Sequence, residues 1–171
     1  MKTGMVILAG GVGKRMGHPT PKQFIILAGK PIISHVLEKV EQLSDVERVV
    51  ITCPAEYVAE TQALLRHRNL SGRFTCIEGG ETRQESVYKG ILALGECESI
   101  IIHEAVRPFA MIAEFRALID SEHANAFYGT RIPFTVLAGH DYVEDTLERS
   151  RLVNVQLLFR GSSAITAHLK R

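Results

Sequence analysis

The chain has little with which to grip nucleic acid, membrane or zinc. None of its 171 residues is tryptophan and 6% are aromatic, and no aromatic and basic residues interleave into a stacking platform. Lys and Arg number 20 against 19 Asp and Glu, a formal charge of +1, too near neutral to draw a nucleic acid by overall field. No apolar run reaches the roughly 20 residues that cross a bilayer. The start, Met1-Lys2-Thr3-Gly4, leads into an apolar segment without the pattern of a signal peptide. The reading is therefore a cytoplasmic protein with no nucleic-acid or membrane partner. Three cysteines, Cys53, Cys76 and Cys97, are odd in number and lack C-x-x-C spacing. They read as reduced core or surface thiols and not as a disulfide framework or a zinc site.

What is present is ordinary for one globular domain over residues 1–171: 46% hydrophobic and 23% charged. Buried strands alternate with amphipathic helices. Met5-Val6-Ile7-Leu8, Arg48 to Thr52, Phe74 to Ile77 and Ser99 to His103 are short apolar runs. Between them, Ile33, Val36, Leu37 and Val40 recur at i, i+3, i+4 and i+7, with Pro31 in the first turn. A second helix is predicted over about Ala55–His67, with Val58, Leu64 and Leu65 inward, and a third carries Val87, Ile91 and Leu94 on one face. Continuous apolar strands separated by helices predict an α/β fold, a three-layer sandwich around a mostly parallel sheet. Beyond Ala124 the pattern weakens: Phe127 to Pro133 reads as a strand, and Val136 to Asn154 as an irregular or edge arm.

Ligands of such sheets bind beyond the carboxyl ends of the strands. That rule selects the segments after Leu8, after Ile77 and after His103. The first is the most informative. Gly10, Gly11 and Gly13 allow a tight turn and close approach of backbone to a ligand, and Lys14, Arg15 and Lys22 follow. Exposed N–H groups with clustered cations suit a polyanion such as a nucleoside triphosphate. The dinucleotide fingerprint is excluded because Met16 stands where its third glycine belongs. Walker A is excluded because Arg15 follows Lys14 and Leu8 holds the earlier glycine position.

Four segments in this order, Leu8-Ala9-Gly10-Gly11-Val12-Gly13-Lys14-Arg15-Met16, Pro21-Lys22-Gln23-Phe24, Gly79-Gly80-Glu81-Thr82-Arg83-Gln84-Glu85-Ser86-Val87 and His103-Glu104-Ala105-Val106-Arg107-Pro108-Phe109, resemble a family. It is that of the 2-C-methyl-D-erythritol 4-phosphate cytidylyltransferases, with ribitol-5-phosphate cytidylyltransferase as a sibling. The resemblance implies the nucleotide-diphospho-sugar-transferase type of α/β/α sandwich, joined as a homodimer through an arm at about 134–156. Ala9, Gly10, Gly11 and Gly13, with Lys14, would line CTP, and Arg15 and Lys22 would hold its α-phosphate. Gly80, Glu81 and Ser86 would read the cytosine edge. Glu104, where the family usually has Asp, would bind Mg²⁺, and Ala105 and Arg107 would complete that loop. Asp145 or Thr146, with Arg149, would reach the sugar phosphate from the arm.

The implied chemistry suits the residue types. A phosphate monoester, dianionic at neutral pH with a second pKa near ~6, attacks the α-phosphorus in line and needs no general base. Catalysis is then positioning plus cationic stabilisation. Three departures from the family pattern stand out: Glu104 itself, Leu157-Leu158-Phe159 in place of Thr-Pro-Gln after Gln156, and an end at Arg171 short of the family's last strand and helix. The rival expectations are ribitol 5-phosphate as substrate, toward which Ile7 to Gly11 and Val106 to Phe109 lean, and a shortened nucleotide-binding remnant. His103 reads as structural. Arg83 and Arg107 read either as phosphate contacts or as braces of their loops.

Overall fold

Six consecutive buried residues make Thr3–Leu8 (β1) the centre of the molecule. A strand buried on both faces must lie inside a sheet covered on both sides, and β1 does. In the computed structural model, which describes residues 2–11, 17 and 20–162, β1 pairs in parallel with Val46–Cys53 (β4) and with Ser99–Glu104 (β6). Phe74–Glu78 (β5) lies parallel beyond β4. Val153–Ser162 (β10) runs antiparallel between β6 and Asn125–Arg131 (β7). The six-stranded sheet has the order β5-β4-β1-β6-β10-β7. Ile26–Leu27 (β2) and Lys30–Pro31 (β3) form a small separate hairpin, turned by Ala28 and Gly29 at φ 48° and 82°.

The strand period of two divides the core. Met5 and Ile7 face a cluster with Ile33, Val36, Leu37 and Val40 of helix Ile32–Glu41 (α1), Leu65 of helix Ala55–His67 (α2), and Phe115 and Leu118 of helix Ile112–Ile119 (α4). Val6 and Leu8 face Val87, Ile91 and Leu94 of helix Arg83–Leu94 (α3). Each such side chain, fully buried, contributes about 1.5–3 kcal/mol. Three layers result, as the pattern predicts.

The helix faces agree closely with expectation. Pro31 stands just before α1, as its N-cap, where its missing N–H leaves no bond unmade. In α2, Val58 and Leu64 are only partly covered, and Thr61 joins Leu65 in the interior. The structure adds α4 and β10, which the sequence pattern did not isolate. The arm is a hairpin with a register shift between Ala138 and Gly139, formed by Val136–Gly139 (β8) with Val143–Leu147 (β9), followed by a 3-10 turn at Arg149–Arg151. Cys53, Cys76 and Cys97 are free thiols. Cys53 and Cys76 abut in the core with sulfurs 3.3 Å apart, and Cys97 is half-buried.

Gly90 decides how closely α3 lies on the sheet. A Cβ there would stand 2.5 Å from Val6 Cγ1 and 3.3 Å from Thr52 Cγ2. Gly90→Ala adds about 1 kcal/mol of helix propensity, against roughly 1–3 kcal/mol of overpacking on a stiff, fully buried valine. Overpacking wins. The expected outcome is a Tm lower by about 3–6 °C, read by thermal unfolding followed by circular dichroism.

Candidate active site

The parallel strands β1, β4, β5 and β6 end at one edge, and the hydrogen-bond ladder continues a residue past the ends of β1, β5 and β6. Ala9 N–H donates to Thr52 O at 2.7 Å, Gly79 N–H to Cys53 O at 2.9 Å, and Ala105 N–H to Leu8 O at 2.9 Å. The three predicted loops therefore leave from neighbouring, fixed points. Ala9 and Ala105 are 2% and 0% exposed; with these N–H groups engaged, their contribution is position. Gly10 and Gly11 are exposed just beyond. Gly13, Lys14 and Arg15 lie outside the described residues.

The second loop is held from α3. Thr82 Oγ1 caps the helix by accepting Glu85 N–H at 3.1 Å, and the Glu85 carboxylate accepts Glu81 N–H at 2.9 Å. That N–H bond holds the Glu85 carboxyl below its usual range. Lys89 Nζ donates to Gly79 O at 2.9 Å. A side chain on Gly80 would overlap Glu85, so this position admits glycine alone. Ser86 Oγ accepts Gly80 N–H at 2.9 Å and donates to Thr82 O at 3.0 Å. The same oxygen lies 3.0 Å from where a Gly79 Cβ would stand and 3.8 Å from that of Gly10. Ser86 thus sits where the first and second loops meet. With its proton on Thr82 O, its hydroxyl is left able to accept.

In the third loop Glu104 stands between two guanidinium groups, Arg83 Nε at 3.4 Å and Arg107 Nε at 3.7 Å. Arg83, at the start of α3, therefore braces the second loop against the third, and Arg107 closes the third loop on itself. Lys39 of α1 donates to Pro108 O and, at 2.8 Å, to Ala110 O. Behind the loop, His103 is 1% exposed, with its ring edge-on to Phe115 at 4.9 Å.

Lys22 opens a one-turn 3-10 segment, Lys22–Phe24. It is half-buried, and its ammonium makes no ion pair among the described residues. Gln23 donates from Nε2 to Ala9 O, which ties this turn to the root of the glycine loop.

No three Asp, Glu, His or Cys side chains cluster among the described residues in the manner of an all-protein metal cage. Glu104 nevertheless fits a Mg²⁺ of the kind that takes one or two carboxylates and completes its shell with phosphate oxygens and water. Arg83 and Arg107 compete for the same oxygens. Asp145, Thr146 and Arg149 lie on the exposed arm, and their hydrogen bonds are local: Thr146 N–H to Asp145 Oδ1 at 2.7 Å and Arg149 Nη1 to Pro133 O at 3.4 Å.

The family model for 2-C-methyl-D-erythritol 4-phosphate cytidylyltransferase matches residues 3–164. The chain belongs to this family. A curated member from Carboxydothermus hydrogenoformans is 37% identical over 98% of this chain and 74% of its own length. A ribitol-5-phosphate cytidylyltransferase from Lactiplantibacillus plantarum is 32% identical over 96% of this chain and 72% of its own. In fold, the chain resembles the crystal structure of 4-diphosphocytidyl-2C-methyl-D-erythritol synthase from Anaerococcus prevotii. The TM-score is 0.84 at 22% identity, over 99% of this chain and 74% of that one. Membership makes the nucleotidyltransferase class the frame for the geometry above.

Three supporting side chains carried no role at the sequence level: Gln23, Lys39 and Lys89. Each binds a main-chain carbonyl of a candidate loop. Lys39 reaches a carbonyl some 70 positions away, and no local pattern marks it. Thr82 with Glu85 has the spacing of a capping box, a local signal that marks where α3 begins and so where the second loop ends.

Burial pushes the His103 pKa down to about 4, with the charges of Arg107 and Lys39 acting in the same direction. Unfolded histidine titrates near ~6.5. Between these values the unfolded chain holds a proton that the folded chain lacks, so stability falls on acidification. In chelator-containing buffer, about 2 kcal/mol of unfolding free energy is expected to be lost between pH 7.5 and pH 5 from this group. His103→Met should lack this component, which urea unfolding at the two pH values measures.

Proposed function

We propose that the chain transfers the cytidylyl group of CTP to 2-C-methyl-D-erythritol 4-phosphate, giving CDP-methylerythritol and pyrophosphate. Its supports are the family, the 37% identity to a relative of that name, and the meeting of two glycine segments at Ser86. The last observation carries the reading. Ser86 Oγ and the nearby main-chain carbonyls accept hydrogen bonds, matching the amino donor on cytosine. Gly80 and Glu81 belong to the same wall.

In this reading Gly10, Gly11 and Gly13 approach the triphosphate closely, with Lys14 and Arg107 around it. Ala9 and Ala105 fix where those groups stand. A phosphate oxygen of the acceptor attacks the α-phosphorus, forming the new O–P bond as the bond to the pyrophosphate oxygen breaks. Negative charge grows on the α-phosphate, and Lys22 with Arg15 stabilises it. Preorganised groups of this kind contribute about 3–4 kcal/mol each. Glu104 would hold Mg²⁺, whose charge would offset that of the triphosphate as pyrophosphate leaves. The acceptor would meet Thr146 and Arg149 of the arm.

That arm exposes Phe134, Leu137, Tyr142 and Val143 at 70, 52, 74 and 59%, which suits a homodimer joined there. No helix among the described residues is long and apolar enough to cross a membrane, in keeping with a cytoplasmic site of action. Ribitol 5-phosphate is the rival acceptor, favoured by the relative of that name.

Pyrophosphate release from CTP with each polyol phosphate in parallel tests the reading. Turnover with methylerythritol phosphate is expected, and turnover with ribitol 5-phosphate alone would reassign the acceptor. Lys22→Ala should lose on the order of 10²–10³ in kcat with an unchanged circular dichroism spectrum. Chelation should stop the wild-type reaction. Glu104→Gln should raise the Mg²⁺ concentration needed for half-maximal rate by about tenfold or more, measured by Mg²⁺ titration at saturating CTP.

A further inference from the structure

We infer that Gln23 is a positioning residue for the transfer, holding Lys22 at a fixed place against the root of the glycine loop. The inference rests on the cytidylyl-transfer reading above. Gln23 is 1% exposed, an unusual burial for a primary amide. Its Oε1 has no hydrogen-bond partner among the described residues, so the side chain is a poorer core filler than methionine or leucine would be. Its bond goes from Nε2 to Ala9 O. Ala9 is the residue at which β1 becomes the loop, and its N–H is already fixed on Thr52 O. Gln23 therefore completes a clamp on the two peptide groups that flank the Ala9 Cα.

The same clamp acts on Lys22. On its far side Phe24 is buried and stacks on Tyr57 with ring centroids 4.5 Å apart. Phe24 N–H donates to Pro21 O at 2.9 Å, and Ile25 N–H to Lys22 O at 3.3 Å. The backbone of Lys22 is thus anchored to the core through Phe24 and to the loop root through Gln23, leaving only its own side chain to move. Misplacing a charged group by about 1 Å costs on the order of 10²-fold in rate. Without the Gln23 amide, the turn and the loop keep separate anchors, and the distance between Lys22 and the glycines is no longer set.

The test uses the full chain with Gln23→Met, which keeps volume and removes the donor, and Gln23→Glu at pH 8, which keeps shape and sets a carboxylate against Ala9 O. Both are measured in steady state and in single turnover with enzyme in excess, alone and combined with Lys22→Ala. The expected result is a fall in kcat of about 10- to 100-fold with KM for CTP within about threefold of wild type. On the Lys22→Ala background the further loss should be under about threefold, because Gln23 acts through Lys22. Wild-type kcat in either folded variant overturns the inference, as does full additivity with Lys22→Ala. Failure of both variants to fold also overturns it, by assigning Gln23 to stability alone. A wild-type chain that releases no pyrophosphate from CTP overturns the transfer reading, and this inference with it. An active wild type with an equally active Gln23→Met overturns this inference alone.

Discussion

The site depends on a sheet ladder that does not stop where the strands stop. Three N–H groups, those of Ala9, Gly79 and Ala105, bond to carbonyls of adjacent strands at 2.7–2.9 Å. Each is the first residue of a candidate loop or close to it. Parallel pairing spaces such bonds evenly and points all four strands the same way, so the loop after β1 starts one strand spacing from that after β6 and two from that after β5. A crevice of that kind is where ligands of open α/β sheets bind. The burial of β1 on both faces is what makes the geometry stiff: a shift of one residue would turn Met5 and Ile7 out of one core and Val6 and Leu8 out of the other.

Stiff starting points are not enough for loops rich in glycine, and each loop has its own tie. Gln23 holds Ala9 O, Lys89 holds Gly79 O, and Lys39 holds Pro108 O and Ala110 O. All are side chains from the turn or helices packed beside the edge. Each tie takes a carbonyl as its acceptor and so occupies no loop N–H group. Glycine gives the approach, and the ties remove the freedom that glycine would otherwise leave.

Much of this was legible in the residues, and the reasons it was not in part are specific. β1, β4 and β6 are strong patterns because both sides of each strand are buried, β5 because Phe74 and Cys76 alternate inward, and the faces of α1 and α3 because their apolar residues recur at the helical period. α4 was missed although Phe115, Leu118 and Ile119 recur at i, i+3 and i+4; the helix has only eight residues, too short to stand out beside an exposed Phe109 and Met111. β10 was missed because antiparallel insertion between β6 and β7 depends on partners about sixty and thirty residues away. Lys22 and Gln23 stand in one motif, yet only Lys22 drew a role, since the meaning of Gln23 lies in a contact to Ala9. Ala9 and Ala105 were expected to line the nucleotide; their N–H groups are engaged in the ladder.

Charge at the edge follows from the same contacts. Lys39 and Lys89 have their ammonium groups on carbonyls, and Arg83 and Arg107 face the Glu104 carboxylate. Lys22, half-buried, makes no ion pair among the described residues. Glu104 faces both guanidinium groups, one on each carboxylate oxygen. The near-neutral charge of the chain thus goes with an edge whose cations are largely held by the protein's own carbonyls and one carboxylate, with no broad basic surface for a nucleic acid to follow.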